Sequence, residues 1–72
     1  MPLKDLTGIK NCDIKYVIDE YIHSERDRAV ILDKFINDPS FEKLGERHGL
    51  SEVQVKRIVY KYADNVYEHL GV

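Results

Sequence analysis

Seventy-two residues, 43% hydrophobic and 33% charged, are enough for one domain with an economical core and exclude both a disordered chain and a two-domain protein. Eleven Lys and Arg against thirteen Asp and Glu leave a net charge of −2, which excludes a protein that coats nucleic acid by bulk charge, but not a small basic face on an otherwise acidic domain. The lone cysteine, Cys12, excludes an internal disulfide and a cysteine-based zinc framework, and no apolar run approaches the roughly 20 residues of a membrane span.

Residues 1–12 read as an irregular lead-in, with Thr7-Gly8 and Asn11 prone to turn and no apolar signal core in Met1-Pro2-Leu3-Lys4-Asp5-Leu6. A cytoplasmic location is therefore expected. Asp13 is a good N-cap for a first helix over 14–23, because Ile14, Val17, Ile18, Tyr21 and Ile22 recur at helical spacing. Ser24 caps a second helix over 25–37, with Glu25 and Asp27 as an acidic first turn. Its stripe of Ala29, Leu32 and Ile36, flanked by Val30, Ile31 and Phe35, is wide enough for burial on more than one side. Asn37-Asp38-Pro39 ends it, since the residue before proline avoids helical geometry.

Ser40 caps a short third helix over 41–48, and Gly49 follows as its C-terminal residue. Ser51 with Gln54 forms a capping box for a long fourth helix over 52–69, striped by Val55, Ile58, Val59, Tyr62, Val66 and Leu70 and closed by Gly71. No segment alternates with period two. The expected fold is all-α, a compact four-helix domain over 13–72 that contains a helix-turn-helix at 41–48 and 52–69.

A helix-turn-helix needs a small residue where its helices cross, a turn residue tolerant of positive φ, and apolar residues that pin both helices to the core. Gly45, Gly49, and the set Leu44, Leu50, Val55 and Ile58 meet these needs in turn. With Val55 and Ile58 inward, Val53, Lys56, Arg57 and Tyr60 point outward, flanked by Glu52, Gln54 and Lys61. The candidate base readers are Glu52, Val53, Gln54, Lys56 and Arg57. Among them, Arg57 suits guanine O6 and N7, Gln54 suits adenine and Val53 suits a thymine methyl, while Glu52 would accept from cytosine or repel a phosphate. The candidate backbone contacts are Ser51, Lys43, Arg47, Tyr60 and Lys61. Residues 41–62 carry five basic against three acidic side chains, the only net-positive segment of the chain.

The run from Ser24-Glu-Arg-Asp-Arg through Ser40-Phe-Glu-Lys-Leu-Gly-Glu-Arg-His-Gly-Leu-Ser-Glu-Val-Gln-Val-Lys-Arg-Ile58 resembles region 4 of bacterial sigma factors. Over about residues 14–70 the chain also resembles small sigma-region-4-like proteins of phages and prophages, carried as transcriptional regulators. The resemblance implies duplex DNA as partner, with the helix that begins at Ser51 in the major groove and RNA polymerase as a second partner. Two positions depart from the usual helix-turn-helix pattern: His48 stands where an apolar residue is usual, and Gly45 where alanine is commoner. Nothing resembles the segment that reads the −10 element, so a complete sigma factor is not expected.

His23, His48 and His69 fall on separate helices without metal-ligand spacing, and Cys12 has no nucleophile context, so neither a cofactor nor an enzymatic activity is expected. Tyr21 and Tyr62 lie on core stripes. Tyr16, Tyr60 and Tyr67 fall off them and would suit a partner interface, including a homodimer through the last helix. The competing function is a protein-binding adaptor that docks on RNA polymerase or another regulator through the acidic parts of the chain.

Overall fold

Each serine-initiated helix begins where its cap places it. The structure, a computed structural model, describes residues 8–71; within them lie α1 (Asn11–Tyr21), α2 (Glu25–Asn37), α3 (Phe41–His48) and α4 (Glu52–Leu70), and no strand. The side chains of Ser24, Ser40 and Ser51 accept from the N–H groups of Asp27, Lys43 and Gln54, so one orphan donor at each helix start is satisfied. At α4 the box is complete: Ser51 N–H donates to Gln54 Oε1 at 2.9 Å and Gln54 N–H to Ser51 Oγ at 3.2 Å.

The first helix differs from expectation. It starts at Asn11, with Lys10 at the N-cap and no side-chain cap bond. Asp13 sits inside the first turn, its N–H bonded to the Lys10 carbonyl at 3.0 Å. Its carboxylate therefore serves the helix dipole rather than the cap. The helix also stops at Tyr21, so His23 lies beyond it. The irregular lead-in thus ends two residues early, and its first seven residues lie outside the described ones.

The core is built from one stripe per helix. Ile14 and Ile18 of α1, Ile22 just after it, Val30 and Ile31 of α2, Leu44 of α3, and Val55, Val59, Ala63 and Val66 of α4 are all buried. Full burial of an aliphatic side chain contributes about 1.5–3 kcal/mol, so these residues carry the fold. The longest helix, α4, packs against each of the other three.

The stripe of α2 is rotated from its predicted line. Ala29 is exposed, and the buried line runs Asp27, Val30, Ile31, Lys34, with Leu32, Phe35 and Ile36 packed at its edges. Two charged residues therefore enter the interior, and both are satisfied there. Tyr62 donates its hydroxyl to Asp27 Oδ2 at 2.8 Å. Lys34 Nζ donates to the Pro39 carbonyl at 2.8 Å, pairs with Asp38 at 3.1 Å and stands 4.6 Å from the centroid of the Phe41 ring. It anchors the turn between α2 and α3 at the point where Asp38 adopts the left-handed conformation, φ +50°.

Two tyrosines change places with respect to the sequence reading. Tyr67, expected off the stripe, is 2% exposed and stacks on Phe35. Tyr21, expected in the core, is 48% exposed and lies flat on His69. The last turns of α4 rotate position 67 inward and carry 69 toward α1.

Candidate nucleic-acid interface

Helices α3 and α4 are joined by the three residues Gly49, Leu50 and Ser51. Gly49 takes φ +67°, as the turn requires. Leu50 N–H then donates to the Gly45 carbonyl at 2.9 Å, the long bond of a Schellman turn. The chain doubles back so closely that a Cβ built on Gly45 would stand 2.6 Å from the Leu50 carbonyl oxygen. The departure from alanine at position 45 thus has a steric cause. Leu44, Val55 and Ile58 are buried and Leu50 packs on the core, which fixes the start of α4 relative to α3.

The outward face of α4 is as expected: Glu52, Val53, Gln54, Lys56, Arg57, Tyr60 and Lys61 are all exposed. Their freedom differs. Gln54 Oε1 is engaged in the cap, so a bidentate pairing with adenine would cost the cap its second bond. The Ser51 hydroxyl is held in the same box. Glu52 pairs with Lys56 at 3.5 Å, and the Lys56 ammonium also stands 5.6 Å from the centroid of Phe41. Tyr60 tilts against the same ring, with centroids 6.0 Å apart. Lys61 covers the face of Tyr62 at 5.2 Å.

Arg47 is turned toward α2, where its Nη1 meets Asp33 Oδ1 at 2.7 Å. His48 reaches the other oxygen of the same carboxylate at 3.1 Å, and Asn37 adds a hydrogen bond at 2.9 Å. Burial alone would raise the Asp33 pKa. The hydrogen bonds from Asn37, Arg47 and His48, with the Arg47 charge, outweigh it and hold that carboxyl below its ordinary 3.8. Among the described residues, the side chains of Lys43 and Arg57 take part in no ion pair, and Val53 is the most exposed apolar side chain of α4, at 59%. Arg57 and Val53 lie four residues apart, on one face.

Sequence reasoning missed Asp33. Asn37 is a local partner four residues on, but Arg47 and His48 lie 14 and 15 positions away, beyond any local pattern. The available signal was His48, a polar residue at a position where a helix-turn-helix wants an apolar one, which calls for a polar partner. No protein-family model, curated protein or solved structure matches the chain. No group of three His, Cys, Asp or Glu among the described residues could hold a metal ion. No helix there is long and apolar enough to cross a membrane.

Proposed function

We propose that the chain is a sequence-specific duplex DNA-binding regulator of sigma-region-4-like type, which inserts the N-terminal turns of α4 in the major groove. The observation that carries this reading is the close α3–α4 crossing at Gly45 and Leu50, which leaves Val53 and Arg57 exposed on the leading face of a capped helix. Arg57 is the base reader, through guanine O6 and N7, and Val53 packs beside it. Lys43, Lys61 and the half-engaged Lys56 and Arg47 neutralise phosphates, and Tyr60 donates its hydroxyl at the same edge. So few cations hold one copy weakly, and tight binding requires a second copy or a polymerase partner. Two copies would read half-sites about 34 Å apart or a multiple of that.

Selection from a random duplex library, followed by electrophoretic shift at low and moderate salt, tests this. A single enriched motif with salt-sensitive retardation is the expected outcome. Absence of retardation on every duplex overturns it. The adaptor reading, docking on RNA polymerase or another regulator, has one observation in its favour: Tyr16 and Tyr21 are exposed at the far end of the molecule, beside carboxylates.

A further inference from the structure

A second surface lies at the other end of α4. A groove of about 300 Å³ runs between α1 and the last turn of α4. Its floor is Val17 and Leu70, and Tyr16, Tyr21 and His69 stand around it with Asp13 at the rim. Tyr16 is 67% exposed, the most exposed large apolar side chain among the described residues. The Tyr21 and His69 rings are stacked 3.6 Å apart and 5° from parallel, and together they form one flat wall of the groove.

Charge decides what fits there. At 100° per residue, Asp13, Tyr16 and Glu20 share one face of α1. Both carboxylates are exposed, and neither forms an ion pair with Lys10, Lys15 or any other described residue. The exposed phenol ring between them presents a π face that attracts a cation. A second copy of this chain is the weaker match, because a two-fold axis passing through Tyr16 would set the two unpaired carboxylates that flank it near their own counterparts. An acidic segment would meet the same two unpaired carboxylates and gains nothing from them. The complement is an apolar side chain for the floor with a Lys or Arg close by for Asp13, Glu20 and Tyr16.

We infer that the α1–α4 groove is a docking site for a basic-apolar peptide segment of another protein, seated on Tyr16 and Leu70 with its cation between Asp13 and Glu20. This does not rest on DNA binding. Val53 and His69 are about 24 Å apart along α4 at 1.5 Å per residue, so the two surfaces are spatially separate.

The probe is a displayed library of random dodecapeptides selected on the immobilised full chain. The strongest binder is then synthesised and titrated against the labelled protein by amide chemical shift. The enriched sequences should carry Lys or Arg within two residues of Leu, Ile or Phe, and the shifted amides should lie in α1 and the last turns of α4. The double variant Asp13→Asn/Glu20→Gln and the single variant Tyr16→Ala should each weaken binding about tenfold, a loss of about 1.4 kcal/mol. All three side chains are exposed, so unchanged far-UV circular dichroism is expected, and Glu20→Lys provides a second charge test. Four results would overturn the inference: no enrichment, enrichment without basic residues, affinity indifferent to the carboxylates, or shifts confined to the Val53–Arg57 end. Sedimentation equilibrium adds a fifth: a dimer abolished by Tyr16→Ala would make the occupant a second copy.

Discussion

Replacing Gly45 by Ala should destabilise this domain, against the trend for an exposed helix position. Helix propensity alone favours the substitution by about 1 kcal/mol. The new methyl, however, would stand 2.6 Å from the Leu50 carbonyl oxygen and 3.4 Å from the Ser51 carbonyl carbon. Both are backbone atoms, which cannot rotate aside as a side chain can. Relief requires the turn to move. The turn is held by the 2.9 Å bond from Leu50 N–H to the Gly45 carbonyl, and one residue later by the Ser51 cap. Overpacking costs about 1–3 kcal/mol and a strained cap about 1 kcal/mol, so the net loss is about 1–3 kcal/mol after the propensity gain.

For a chain of this size that lowers Tm by about 4–8 °C per kcal/mol, readable by thermal circular dichroism with a urea titration as the second probe. A control separates space from backbone conformation. A Cβ on Gly49 meets nothing within 4 Å, yet that residue sits at φ +67°. Gly49→Ala should cost about 1–2 kcal/mol through the left-handed conformation alone, and Asn, which tolerates that region, should recover part of it. Asn at position 45 should be worse than Ala. A Tm that rises in Gly45→Ala would show that the α3–α4 crossing is looser than the structure has it, and would remove the main support for the placement of α4.

Three further outcomes are expected. The Tyr62 pKa is raised above 10.0, first by the hydrogen bond to Asp27 and then by burial, so this contact stabilises the fold fully below about pH 10 and is lost as pH rises through the folded pKa. Tyr62→Phe should therefore cost about 1–3 kcal/mol at neutral pH in urea unfolding, with the gap to wild type narrowing above about pH 10. The Asp33 pKa is depressed below 3.8, so its contribution is present above the unfolded value and lost as pH falls through the folded one. Asp33→Asn should destabilise by about 1–2 kcal/mol at neutral pH and match wild type in acid; a constant difference across that range would refute the Arg47–His48 clamp. On a selected duplex, Arg57→Ala should relax base preference and cost about 1–3 kcal/mol, whereas Lys61→Ala should weaken all sequences alike and flatten the salt slope by about one unit. Wild-type binding by both variants would mean that the wrong face of α4 was assigned.

Helix starts were legible because their causes are local. Ser24, Ser40 and Ser51 each act on an N–H three residues ahead, so the pattern and the bond lie within one window. Gly45 and Gly49 were legible too, since a tight α3–α4 connection leaves few alternatives to glycine. The start of α1 was not, because Lys10 caps with no side-chain bond and leaves no residue-type signature. Nor was the burial of Asp27 and Lys34. Hydropathy ranks both as surface residues, and their placement depends on Tyr62, 35 positions away, and on the Pro39 carbonyl presented by a left-handed Asp38.

The candidate interface was legible as a face but not as a set of free groups. Helical periodicity orients α4 and predicts which side chains leave the core, because orientation is fixed by the apolar stripe. It cannot say which of them are already engaged. Gln54 is committed to its own cap, Lys56 to Glu52 and the Phe41 ring, and Arg47 to a carboxylate on a different helix. Each such contact must be given up before the group can serve a phosphate or a base, and an exposed ion pair is worth only about 0–1 kcal/mol. Lys56 can therefore be recruited by DNA at small cost. Arg47 cannot be drawn off so easily, because Asp33 is nearly buried and would be left with His48 and Asn37 alone. Loss of Arg47 should thus show first in stability and only secondarily in DNA affinity, the reverse of the order expected for Arg57.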